Sequence, residues 1–159
     1  MAANGGQGGI LALLICRVGT RLCGIPLEHV IETMRPLPVA RLAHLPPFVA
    51  GMALIRGVPT PVLDTERLLG ADVEARDHQR FVAIRLSGRR AALAVDAVVG
   101  VRQVDTTRLE QLPALLREPR NELVLALGTL DRELLVVLER ARLLPPSVWE
   151  ALDAEARAS

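Results

Sequence analysis

Short apolar runs rich in Val, Ile and Leu recur along the chain, divided by Gly, Pro and polar breaks at strand-like intervals. The pattern predicts strands at Leu11–Val18, Arg21–Leu27, Val30–Arg35, Val49–Ile55, Val58–Leu63, Phe81–Leu86, Arg90–Val95, Val98–Val104, Leu123–Thr129 and Glu133–Leu138. Prolines gather near the ends of these runs, which suits edges and turns and argues against long interior helices. Helical pieces are expected at Thr65–Leu69, Thr107–Leu116 and Arg140–Leu144, and a C-terminal helix over Ser147–Arg157. Ser147 is the expected N-cap of that helix, with Glu150 completing a capping box. Met1–Gly9, rich in Gly, reads as a flexible leader.

The chain also resembles itself. Gly24–Val30 lies over Ala92–Val98, and Val62–Leu69 lies over Val137–Leu144, in the same order and at similar offsets. Each half is therefore read as a hairpin, a long connection, a second hairpin and a helical turn. Two similar small β-barrels packed together satisfy that arrangement, since closing a sheet removes its exposed edges.

Composition narrows the functional classes. Half of the 159 residues are apolar, so a core is easily built, but the aromatics are only Phe48, Phe81 and Trp149. A net charge of +1 gives no general pull toward nucleic acid or anionic membrane, and stacking platforms for single strands are nearly absent. Apolar runs such as Ile10–Cys16 fall far short of the ~18 residues of a membrane-spanning helix. No Lys or Arg precedes that run, which argues against a secretory signal, and a soluble cytoplasmic protein is expected. If Gly19-Thr20 is a two-residue turn, Cys16 faces Cys23 across a hairpin. That pair has disulfide geometry, but a reducing compartment favours two buried thiols.

Nothing in the sequence assembles a catalytic site. Asp64 and Asp96 stand singly beside helical turns or strand starts and read as caps or turn residues. His29, His44 and His78 lie on unrelated segments without zinc spacing, and His29 and His44 read as surface residues. The hydroxyls near strands have no histidine at a useful distance along the chain, and the Gly5–Gly9 cluster is followed by no Lys-Ser/Thr. No cofactor or metal is implied. Arg56 is the anomaly: a lone charge within MALIRGVPTPVLD that must sit at a surface, in a turn or against a partner.

Several segments carry a family likeness. Gly24-Ile25-Pro26-Leu27-Glu28-His29-Val30-Ile31-Glu32, Leu45–Gly51, Ile55-Arg56-Gly57-Val58-Pro59-Thr60-Pro61-Val62-Leu63-Asp64 and Val95–Val101 occur in order, with Leu127-Gly128-Thr129-Leu130 before the closing strand. Together they resemble the CheW family of chemotaxis coupling proteins from about Leu11 to Leu152. The resemblance implies an all-β fold of two packed five-stranded SH3-like barrels with short helical turns and a C-terminal helix. It implies a leader over 1–9, one CheW-like domain over 10–146 and a helix with tail over 147–159. It further implies a non-catalytic adaptor between the cytoplasmic tip of a methyl-accepting chemoreceptor and the regulatory domain of a CheA-type histidine kinase, with no nucleic acid and no membrane insertion. Arg56, on a hairpin rim permitted by Gly57 and flanked by Ile55 and Leu54, then becomes the partner-facing residue. Val30 and Glu32 correspond to a kinase-contact strand, although Val30 serves equally as core, and Arg80 falls near a receptor-contact position.

Two departures stand out. Leu54 replaces the family's Asn, and Glu139 sits where Asp or Asn is usual, which points to a divergent or accessory system. A freestanding relative of the kinase regulatory domain is the alternative within the same fold. A nucleic-acid-binding barrel using Arg89, Arg90 and Arg102, or an enzyme using Cys16 or Cys23, are the more distant ones.

Overall fold

A computed structural model describes residues 9–70, 73–74, 77–86, 88–105, 124–130, 133–138 and 146–158. The expected helical pieces at 107–116 and 140–144, and residues 1–8 of the leader expected over 1–9, lie outside the described residues. Ten strands are present among those described: β1 Ile10–Val18, β2 Arg21–Pro26, β3 Val30–Met34, β4 Val49–Ile55, β5 Val58–Asp64, β6 Arg80–Leu86, β7 Arg89–Val95, β8 Ala97–Asp105, β9 Val124–Leu130 and β10 Glu133–Leu138. Each coincides with a predicted run to within a residue or two. Two helices accompany them, α1 Thr65–Leu68 and α2 Pro146–Ala158, with a 3-10 turn at Leu27–His29. The second helix starts at Pro146, so Ser147 lies in its first turn instead of capping it. Proline suits that opening position, since its fixed φ is already helical and no donor is wasted.

The strands form two five-stranded sheets, ordered β8-β1-β2-β10-β9 and β3-β6-β7-β5-β4, and these are two SH3-like barrels. The orders match position by position, each with one parallel contact, β2 with β10 and β5 with β7. The repeat in the sequence is therefore real, but the division into halves is not. One barrel is contiguous, from β3 to β7, while the other is assembled from β1 and β2 at one end of the chain and β8 to β10 at the other. The exchange occurs because β2 passes its successor β3 to the opposite sheet, and β7 does the same with β8.

Strand faces explain why the apolar runs are continuous instead of alternating. Leu13, Ile15, Leu22, Val104, Leu135 and Val137 fill one barrel, and Ala53, Ile55, Val62, Phe81, Ala92 and Ala94 fill the other. Their neighbours in sequence, among them Leu14, Cys16, Cys23, Leu63, Val82, Leu93, Val95 and Val136, point the opposite way and join one cluster shared by both barrels. A strand buried on both faces has no polar side to show in its sequence. Cys16 pairs directly with Cys23 in the β1–β2 register, and both are buried free thiols. Burial pushes the Cys16 thiol up to about 12, and Cys23 higher still. Burial therefore disfavours the reactive thiolate at both.

The last helix closes one side of the molecule. Val148 and Leu152 are buried on the shared cluster. Arg89 at the start of β7 lies 4.9 Å from the Trp149 ring centroid and donates from Nη1 to both Asp153 oxygens at 3.1 and 3.0 Å.

Candidate functional site

The β4–β5 hairpin places Arg56. Along β4, Val49, Gly51, Ala53 and Ile55 turn inward while Ala50 and Leu54 face water. Gly51 also lets a neighbouring segment approach: a Cβ there would strike the Ala40 carbonyl, which accepts from the Met52 N–H at 2.9 Å. Ile55 pairs with Val58, leaving Arg56 and Gly57 as a two-residue loop with φ of 51° and 77°. Two successive left-handed residues make the type I′ turn that fits the twist of a tight hairpin. Glycine adopts that conformation freely, whereas for arginine it is uncommon. The turn was legible in the sequence; the strained backbone of Arg56 was not.

The Arg56 side chain is 73% exposed and is held by Glu32, not by the core. Nε donates to Glu32 Oε2 at 2.6 Å and Nη2 to Oε1 at 3.0 Å, a fork across 24 positions of sequence. Glu32 lies on the half-buried face of β3 with Val30 and Met34, which pack on the barrel cores. Hydrogen bonding from Arg56 lowers the Glu32 carboxyl despite its partial desolvation, helped by the charges of Arg56 and Arg90. The same bond raises Arg56. Both groups therefore stay ionised wherever the protein is folded near neutrality. The fork occupies two of the five guanidinium hydrogens and leaves Nη1 and the second Nη2 hydrogen for another acceptor.

Around this pair the surface is apolar. Leu54 is 66% exposed, and Val58 and Ile31 are also open to water. A hydroxyl–carbonyl bond from Thr60 Oγ1 to Val58 O at 2.9 Å stiffens the outgoing strand. A preorganised cation set among exposed aliphatic side chains is suited to protein contact: area from Leu54 and Val58, direction from the guanidinium.

The structure thus brings Arg56, Gly57, Leu54 and Glu32 to one corner. Ile55 is at the same corner, but its side chain is in the barrel core, where it anchors the turn. Val30 packs against the shared cluster and leaves Ile31 as the outward residue of β3. Arg80 stands apart, beside Arg35, Gln79 and Asp96 in a groove of about 680 Å³.

A second cluster was not anticipated. Asp64 caps α1, accepting from the Arg67 N–H at 3.2 Å, and Asp96 Oδ2 accepts from the Gly19 N–H at 2.7 Å. The cap and turn roles expected of these aspartates are present, but His78 also lies between them. Its Nδ1 is 3.0 Å from Asp96 Oδ1, and its Nε2 is 3.2 Å from Asp64 Oδ1, near enough for charge attraction though off the line of a hydrogen bond. The Asp64 carboxylate raises the His78 pKa above its ordinary 6.5, burial opposes this, and Asp96 adds to the rise. Burial alone would raise Asp64, but His78 and the Arg67 N–H outweigh it and hold the carboxyl below its usual 3.8.

Two packed SH3-like barrels define the architecture, with an exposed apolar corner carrying the Arg56 guanidinium. The chain belongs to the CheW-like domain family, whose pattern matches residues 12–146. The chemotaxis protein CheW of Klebsiella aerogenes is 25% identical over 145 residues, covering 91% of this chain and 87% of that protein. Protein FrzA of Myxococcus xanthus is 36% identical over 91 residues, 55% of this chain and 56% of FrzA. The scaffolding protein TtCheW from Thermoanaerobacter tengcongensis superposes with a TM-score of 0.75 at 20% identity, over 88% of this chain and 96% of that one, which establishes the shared fold. Among the described residues, no helix is long and apolar enough to cross a membrane.

Proposed function

We propose that this chain is an adaptor joining chemoreceptor cytoplasmic tips to the regulatory domain of a CheA-type histidine kinase, and that the Arg56 corner is a docking surface for one of them. The carrying observation is Arg56 itself. Its backbone occupies a left-handed conformation and its side chain is exposed, yet both are fixed, by Gly57 and by the Glu32 fork. Backbone strain of this kind persists at functional positions, because a solvated turn would be better served by Asn or Gly. Gly57 and Ile55 hold the turn, Leu54 and Val58 supply contact area, and Glu32 aims the guanidinium. Val30 shapes β3 beneath this corner, and Arg80 belongs to a separate receptor-facing groove. Likeness to both CheW and FrzA supports a chemosensory role, and Leu54 supports a divergent or accessory system with a more apolar partner. Work at receptor tips places the adaptor in the cytoplasm.

Capture of the purified kinase regulatory domain and of a receptor tip, each measured by calorimetry, tests the reading. Affinity in the micromolar class, about −8 kcal/mol, is expected for at least one of them. Arg56→Glu should weaken that binding at least tenfold. Unchanged capture of both partners by the variant removes Arg56 from the interface.

A further inference from the structure

We propose that His78 is a protonation-dependent latch at the seam of the two barrels: charged, it holds Asp64 and Asp96 together, and neutral, it can hold only one of them. The geometry carries the argument. Asp96 occupies the crossover from β7 to β8, where the chain passes from one barrel to the other. Its N–H donates to the Arg17 carbonyl at 2.9 Å and its Oδ2 takes the Gly19 N–H at 2.7 Å, so this one residue grips the β1–β2 hairpin twice. Its other oxygen faces His78, and beyond His78 stands Asp64, which ends β5 and caps α1. The connected path runs from the β1–β2 turn, through Asp96 and His78, to the α1 corner of the opposite barrel.

Imidazolium carries an N–H at each nitrogen: Nδ1 donates to Asp96, and the off-line Nε2 side attracts Asp64 by charge at 3.2 Å. Neutral imidazole keeps a single N–H and turns a lone pair toward the other acid, at about hydrogen-bond distance and almost without water, since the His78 side chain is only 4% exposed. The better aligned Nδ1 contact retains the hydrogen, and the Nε2 side, already off line, opens first. Among the described residues, Arg67 does not replace it. Arg67 lies 3.9 Å from Asp64 Oδ2, but its Nε and Nη1 are committed to the carbonyls of Val73 and Pro47. On the seam side, the Glu66 carboxylate packs against Gly19, adding negative charge. Asp77 precedes the histidine in sequence, and Arg80 follows it into the groove that Asp96 also lines. Release at this point therefore alters the wall of that groove as well as the seam.

The direction follows from the raised His78 pKa. Stability from the latch is complete below about 6.5, the value in the unfolded chain, and is lost as pH rises through the higher folded value. The test is an NMR titration of the intact chain from about pH 6 to about pH 9, following the His78 ring and the Gly19 and Arg67 amides, alongside urea unfolding at each pH. A His78 midpoint above 6.5 is expected, shared by the Arg67 amide. The folding constant should fall about tenfold for each unit of that elevation. Replacement His78→Gln should abolish the alkaline fall in stability. A His78 midpoint at or below 6.5, amides that ignore it, or an undiminished fall in the variant each overturn the latch. If the variant does not fold, the titration of the native chain alone decides.

Discussion

Two of the acid–base groupings in the molecule are opposites. Arg56 and Glu32 meet at the rim, in contact with water, and the arrangement leaves donors to spare. His78 meets Asp64 and Asp96 in the seam, where both ring nitrogens face carboxylates and little solvent enters. In water an ion pair adds little to folding, because solvent competes for both charges and salt screens them. In the interior neither partner can be removed without stranding the other. The seam cluster is therefore the one expected to matter for the fold, while the rim pair adds little to stability and serves recognition only in the proposed function.

The sharpest way to break that contrast is His78→Leu. It leaves two carboxylates facing each other at the seam, and a loss of about 3 kcal/mol is expected from urea denaturation. A loss below about 1 kcal/mol would make the seam no different from the rim. Next in size comes pH. Asp64, held below its usual value, contributes stability above about 3.8 that disappears as pH falls through its lowered folded pKa. His78 contributes below about 6.5 and fails on the alkaline side, so the stability maximum should lie between these limits. Thermal midpoints across pH locate it; a maximum well above neutrality contradicts the assignment. Gly57→Ala should cost about 1 kcal/mol, because alanine must enter the left-handed region. Its unfolding midpoint, compared with that of Gly88→Ala, shows whether the tight turn matters more than an ordinary positive-φ site. The smallest effect on stability belongs to Arg56→Asn. Asparagine accepts the left-handed turn, so the thermal midpoint should move by no more than about one degree in either direction while partner capture weakens.

Local features were readable and distant ones were not. Ten strands follow from apolar runs and their Gly and Pro breaks, and the Arg56-Gly57 turn follows from its position between two such runs. Val49–Ile55 is apolar or glycine throughout, so the sequence does not separate inward Ile55 from outward Leu54; only the burial pattern of β4 does. The barrel assignment of β3 and β8 leaves no mark on the sequence, since a strand buried against either sheet needs the same residues. The Glu32–Arg56 fork and the Asp64–His78–Asp96 cluster link segments far apart in the chain. Asp77-His78-Gln79 reads as an ordinary polar loop, and only the fold reveals that its histidine points between two strand ends.

The parallel contact between β2 and β10, with Leu22 set beside Leu135, has a consequence for how the protein is made. The barrel of β3 to β7 can be completed from one continuous stretch soon after synthesis passes Val95. The β1–β2 hairpin is made before that barrel yet waits longer, its inner leucines and isoleucine uncovered until β10 arrives. Such distant pairing slows folding and exposes sticky surface on the nascent chain, so of the two barrels the discontinuous one has the greater need of a chaperone.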